Sequence, residues 1–407
     1  MLERGDLAGM RPGGGKLGRG FLKPIQKGST MSKVAVGKFV DGEMVGLIRP
    51  DVLLEWLLPK RPYLEARGVA LTPQIDCVKL AEVLREPTPD MPADLVEGLH
   101  AFRGLDNEPA MDAIAEECER RGLDLGLGQE ATPLDVVVRA WTRDREVVEA
   151  LHVKKSVKRG RSFRYYSTDA NPLPVFTGPT AEQLRKIEEG MNAFCLATSR
   201  GPGARVFAWP EGNRWRFVVR HGKVRRGEEA MENGEPTTVF FRRRHRDVLG
   251  YDGARGEMGV NACNPREEEV LLRVFGRSLF GRADFFPGTD KYTVWPIVRD
   301  GRDCLACADV PGIEWVRLTR VEFCQREGER HRSVQEAEDI FRLVERGKVK
   351  WPDRLEDFAS ATFQVKFHGA KKPRRLTIVP CNRVIYGREE DWPLLERLML
   401  ARGFIKK

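Results

Sequence analysis

The spacing of apolar residues changes part-way along the chain. From Pro50 to about Val153 they recur at intervals of three and four, as in ADLVEGLHAF and in PAMDAIAEECERRG, which closes on Gly122. That period places them on one helical face and predicts a bundle of short helices. Thr132-Pro133-Leu134-Asp135, ahead of VVVRAW, supplies an N-cap, a first-turn proline and a carboxylate suited to the positive end of a helix. Before this region, residues 33–49 alternate about Asp41-Gly42, which predicts a short hairpin.

After the proline-rich NPLPVFTGPT, which marks the main domain boundary, the period falls mostly to two. Thr180-Ala181-Glu182-Gln183 first reads as a capping box opening a helix to about Phe194. RVFAW and RWRFVVRHG then pair across PEGN, and TTVFF begins another strand anchored by Phe240 and Phe241. Asn264 caps an amphipathic helix carrying Val270, Leu271, Val274 and Phe275. YTVWPIV and CLACA flank Asp300-Gly301 as a further hairpin, IEWVRLTRVEF follows as a strand, and Ser333-Val334-Gln335-Glu336 reads as a helix cap. TFQVKFHG and RRLTIVP form a β-pair before a closing helix, WPLLERLMLARGFI, an order compatible with a winged-helix-like element.

The fold class that results is α+β: a helical N-terminal module, then a mixed, mainly antiparallel α+β module. The expected organisation is a flexible basic tail (1–30), a β-hairpin plus helical domain (31–153), a basic linker (154–179) and an α+β domain (180–407). A sub-boundary falls near 328–333. No repeat of fixed period is visible, which argues against solenoids and propellers.

Charge sharpens this division. The 407 residues carry a formal charge of +9, yet Asp76 to Val136 hold 15 Asp/Glu against 5 Lys/Arg, a local balance of −10 that leaves +19 elsewhere. An acidic module beside a basic one points to partners of opposite sign rather than to a fold. No segment has the apolar length of a membrane span and no apolar signal core opens the chain, so a cytoplasmic protein without membrane contact is expected. Eight scattered cysteines fit a reducing compartment.

Four cationic clusters stand out. Lys154, Lys155, Lys158, Arg159, Arg161 and Arg164 interleave with Phe163, Tyr165 and Tyr166; Arg214, Arg216, Arg220, Lys223, Arg225 and Arg226 form the second. Arg242, Arg243, Arg244, His245 and Arg246 form the third, and Lys366, Lys371, Lys372, Arg374 and Arg375 the fourth. Phosphate binding needs cations that converge, and aromatic neighbours supply stacking platforms for unpaired bases. Each cluster taken alone fits the solvated face of a strand better than a binding site; four within one net-basic region bring the two readings level.

Catalytic and metal signals are sparser. GGGK at 13–16 lacks the spacing and the hydroxyl residue of a phosphate loop, and HRD at 245–247 lacks the other landmarks of a kinase. Pro352-Asp353 ahead of Gln364-Val365-Lys366 matches the order in metal-dependent nucleases of the restriction-endonuclease type. There Asp353 and Gln364 would hold Mg²⁺ and Lys366 would orient the attacking water. Cys304-x-x-Cys307 offers two ligands for a structural zinc without a second pair. His245, Asp247, Asp252 and Glu257 make an acid/base grouping across a hairpin turn at Asp252-Gly253. VRLTRVEF is similar to the closing strand of the ligand-sensing WYL domain of bacterial regulators, over less than a tenth of the chain, while CLACA lacks that domain's Trp-Tyr-Leu signature.

The leading expectation is a sequence-nonspecific protein that binds DNA or RNA backbone without a cofactor. Lys154, Lys155, Lys158, Arg159, Arg161, Arg164 and Tyr165 would make the contacts, supported by Arg242, Arg243, Arg244 and Arg246. The acidic module would dock a protein partner. The alternatives are the Mg²⁺-dependent nuclease and a non-enzymatic scaffold or ligand-sensing regulator.

Overall fold

The computed structural model describes residues 45–406 apart from 87, 89, 129, 158–161, 233, 326–330 and 352–356. The chain forms two compact units, dividing after Glu149.

The first unit is helical: α1 Pro50–Leu57, α2 Arg61–Glu65, α3 Cys77–Arg85, α4 Ala93–Leu105, α5 Glu108–Arg120 and α6 Pro133–Arg143, with α7, Arg145–Ser156, following. Local chemistry sets the helix starts. Asp76 accepts from the backbone N–H groups of Val78 and Lys79, and Thr132 with Asp135 completes a capping box. Buried Asp135 also accepts from the Arg49 backbone N–H at 2.8 Å. At the centre Phe102 meets Trp56 and Trp141 edge-on, with ring centroids 5.0 and 5.7 Å apart.

In the second unit the elements run β1 Ser162–Ser167, α8 Ala181–Ala197, β2 Arg205–Glu211, β3 Arg214–Glu232, β4 Glu235–Asp252, β5 Glu257–Asn261, α9 Pro265–Phe280 and α10 Trp295–Arg299. They continue with β6 Ile313–Gln325, β7 His331–Glu336, α11 Ile340–Glu345, β8 Phe358–Phe367, β9 Arg374–Val379, β10 Arg383–Tyr386 and α12 Trp392–Ala401. All the strands join one antiparallel sheet, ordered β2-β3-β4-β5-β1-β10-β9-β8-β6-β7. The fold is mixed α+β.

Alternation along the strands builds two cores on opposite faces. Phe217, Val219, Leu249 and Tyr251 pack with Ile187 and Met191 of α8 and Leu271 and Phe275 of α9. Val218 and Val248 belong instead to the core that holds Phe163, Ile297, Leu395 and Leu398.

Several elements differ from their sequence reading. YTVWPIV and CLACA are not strands: Pro296 helps start α10, and residues 301–305 form a 3-10 turn. Ser333 does not cap a helix, because its segment is β7 and pairs along β6; the helix begins later, at α11, capped by Asp339. Residues 162–167 are not linker but an interior strand between β5 and β10. The β8–β9 pair lies inside the sheet, between β6 and β10. The hairpin expected over 33–49 lies outside the described residues except for its last five positions, of which 45 and 46 are helical. The 1–30 tail also lies outside them. Among the described residues no helix is long and apolar enough to cross a membrane.

Candidate nucleic-acid interface

β3 and β4 are far longer than their neighbours. β2 covers β3 as far as Arg220, and β5 covers β4 back to Val248. Beyond those points the two strands pair with each other as a ribbon. Twelve residues at strand rise give it a length of about 40 Å. A bulge lies between Gly222 and Arg225, the kind of irregularity that bends a strand where it leaves a sheet.

Charge is segregated along this ribbon. Its root carries Arg220, Lys223, Arg225 and Arg226 on one strand and Arg242, Arg243, Arg244 and Arg246 on the other. Its tip, residues 227–241, has no cation and holds Glu228, Glu229, Glu232 and Glu235. At the root, Arg220 stands directly opposite Arg246, and Arg225 opposite Arg242, a like-charge pairing that is unfavourable by itself. The strain registers at Arg246, whose pKa is lowered by burial and then by Arg244 and Arg220.

Arg246 also brings two clusters together. Its Nη1 donates to Ser156 Oγ at 2.9 Å, placing the last turn of α7, with Lys154 and Lys155, beside the ribbon root. Three of the four cationic clusters therefore contribute residues to one region. The fourth lies on the far side of β5, β1 and β10 in strand order. There Lys366 faces Glu314 at 4.0 Å and Arg374 pairs with Asp391.

Individual assignments divide accordingly. Lys158, Arg159 and Arg161 lie outside the described residues. Arg164 points to the opposite side of β1 from Tyr165 and is held by Glu268. Tyr165 is no stacking platform for a base: it is buried, parallel to Trp392 at 5.9 Å, with Lys291 Nζ 3.9 Å from its ring centre. Phe240 does not anchor its strand in a core. It is exposed on the ribbon, 5.6 Å from the Arg225 guanidinium, while Phe241 lies 5.1 Å from that of Arg226.

On the α8/α9 side of the same root is a buried polar cluster. His221 and His245 face each other across β3 and β4, and both approach Asp247, with His221 Nε2 2.8 Å from Oδ2 and His245 Nε2 3.1 Å from Oδ1. His221 Nδ1 lies 2.9 Å from the Gly222 carbonyl oxygen. Burial opposes protonation of His221, but hydrogen bonds to Asp247 and Cys195 outweigh it and push the pKa up to about 9. Burial pushes the Asp247 carboxyl up, but the two histidines outweigh it and hold it below the usual carboxylate range. Glu267, on the first turn of α9, is fully buried and accepts from Arg200 and from Lys223 Nζ at 3.1 Å. One ligand atom from each of His221, His245, Asp247 and Glu267 lies within 4.8 Å of the others.

The acid/base grouping read from sequence is thus split. His245 and Asp247 join the ribbon root, whereas Asp252 pairs with Arg214 at 3.1 Å and Glu257 with Lys291. His221 and Glu267 were missed. The signal for His221 was its place in the inward series Phe217, Val219, His221; Glu267 looks like an ordinary first-turn acid behind the Asn264 cap.

Cys304 and Cys307 lie in and just after the 3-10 turn rather than on a strand. Burial raises both thiols, Cys304 to about 12, which opposes the thiolate a metal needs. Asp353 lies outside the described residues. Gln364 on β8 sits opposite Arg375, and Lys366 opposite Trp315.

No protein-family model matches the sequence, and no curated protein matches it.

Proposed function

We propose that the protein binds nucleic-acid backbone, without sequence readout, at the root of the β3–β4 ribbon. One observation carries this reading: residues from three separate cationic clusters meet around Arg246, with Arg220 across the strand and Ser156 in hydrogen-bond contact. A phosphate group between Arg220, Arg244 and Arg246 would relieve their mutual repulsion, and guanidinium groups offer it paired N–H donors. Most acidic residues of the ribbon are confined to the tip, which favours contact at the root. The acidic helical unit is read as a separate surface for a basic partner. Salt-dependent binding of labelled DNA and RNA tests the proposal, because each phosphate contact contributes about −0.9 to the slope of log K against log salt on duplex DNA.

A further inference from the structure

We propose that His221, His245, Asp247 and Glu267 form a binding site for a divalent ion of the zinc class. The inference is independent of nucleic-acid binding. Two imidazoles and two carboxylates suit a borderline first-row cation better than Mg²⁺ or Ca²⁺, which favour all-oxygen sets.

Geometry supports the assignment. Both histidines present Nε2 to the two oxygens of one carboxylate, at 2.8 and 3.1 Å. Tetrahedral zinc with bonds near 2.0–2.1 Å separates its ligand atoms by about 3.3 Å; each imidazole already stands near that distance from one oxygen of Asp247, and the four ligand atoms lie within 4.8 Å of one another. The Gly222 carbonyl against His221 Nδ1 fixes the ring with Nε2 inward, as outer partners do for metal-bound histidine. Glu267 completes the set and is anchored by Nη1 of Arg200, whose buried Nε has no hydrogen-bond partner among the described residues.

Binding requires two changes. The ion takes the place of the proton between His221 and Asp247, and Lys223 leaves Glu267. Lys223 can do so because its side chain is 25% exposed beside the bulge. The closed site would tie β3, β4 and the first turn of α9 together where the ribbon leaves the sheet.

The test is titration of Zn²⁺, with Co²⁺ as a spectroscopic probe, into tag-free full-length protein freed of metal by chelation. The expected result is one equivalent bound per chain, visible Co²⁺ bands of a tetrahedral nitrogen/oxygen site, and affinity at least 10-fold lower in His245→Gln. His245 is partly exposed, so this variant is expected to fold, which circular dichroism checks. Cys304→Ser/Cys307→Ser should bind as tightly as the parent. Binding well below one equivalent would overturn the assignment. So would loss in the cysteine variant but not in His245→Gln, or a ¹⁵N spectrum in which His221 stays imidazolium at saturating Zn²⁺.

Discussion

Arg246 reaches back along the chain to Ser156, its Nη1 2.9 Å from the hydroxyl oxygen. That contact joins β4 to the end of α7 and sets Lys154 and Lys155 beside arginines from both ribbon strands. Because burial, and then Arg244 and Arg220, disfavour the charge on Arg246, Arg246→Gln should alter folding stability by less than about 1 kcal/mol, within the range of non-core substitutions. Affinity for nucleic acid should fall all the same. Thermal melts and binding isotherms of the same preparation separate the two effects.

A ligand that binds the folded state and not the unfolded one raises stability by RT ln(1 + L/Kd), where L is the free ligand concentration. Heparin at low salt should therefore raise the melting temperature of the parent protein. The rise should shrink in Arg246→Gln and vanish in a variant with Arg220, Arg244 and Arg246 all changed to Gln. An equal rise in all three would place the polyanion elsewhere.

The ribbon tip offers the converse experiment. Arg226 and Phe241 are directly opposite, so residues 227–240 can be replaced by Asn-Gly, a pair suited to a two-residue hairpin turn. This removes Glu228, Glu229, Glu232 and Glu235 and leaves the root arginines. Binding should be retained or tightened. A loss of binding would assign the contact to the tip and its exposed Phe240.

Gly222 marks the point where the ribbon departs. A Cβ there would lie 2.7 Å from the Arg200 carbonyl oxygen, a backbone atom with little room to move. Gly222→Ala should destabilise the second unit by about 1–3 kcal/mol, the usual cost of overpacking. Chemical denaturation measures it, with Gly212→Ala as a poor control because its positive φ of 59° brings separate strain.

How far this was legible in the sequence depended on distance. The Thr132 N-cap, the Thr180 capping box and the β2–β3 hairpin were readable because their hydrogen bonds close within a few residues. The Ser333 reading failed because a local cap pattern was overridden by pairing of β7 along β6. Asp300-Gly301 does turn the chain, with Gly301 at φ 56°, but between helical turns. Tyr165 sat in a cationic run that suggested stacking, yet strand alternation turned it into the core. The meeting of Ser156 with Arg246, and of Glu267 with the two histidines, is tertiary, and no local pattern reports it.

Acid should expose another part of the sheet. Burial raises the carboxyl pKa of Glu322, but Arg332, at 2.6 Å, and Arg320 outweigh it and hold the value below the ordinary 4.5. A depressed folded-state pKa contributes stability above the unfolded value, and this is lost as pH falls through the folded one. Stability should thus decline below about pH 4.5, less steeply in Glu322→Gln than in the parent. Parallel slopes in denaturation series between pH 6 and pH 3 would show that this pair does not drive the acid limb.

The central claim is tested most directly by titrating labelled single-stranded and duplex DNA and RNA with full-length protein at several salt concentrations. Parent protein and the Arg220/Arg244/Arg246→Gln variant are compared. The account predicts binding that weakens linearly in log K against log salt, and in the variant at least a 10-fold loss with a flatter slope, each lost phosphate contact removing about one unit. Absence of binding at low salt, or a folded variant that binds like the parent, would contradict it.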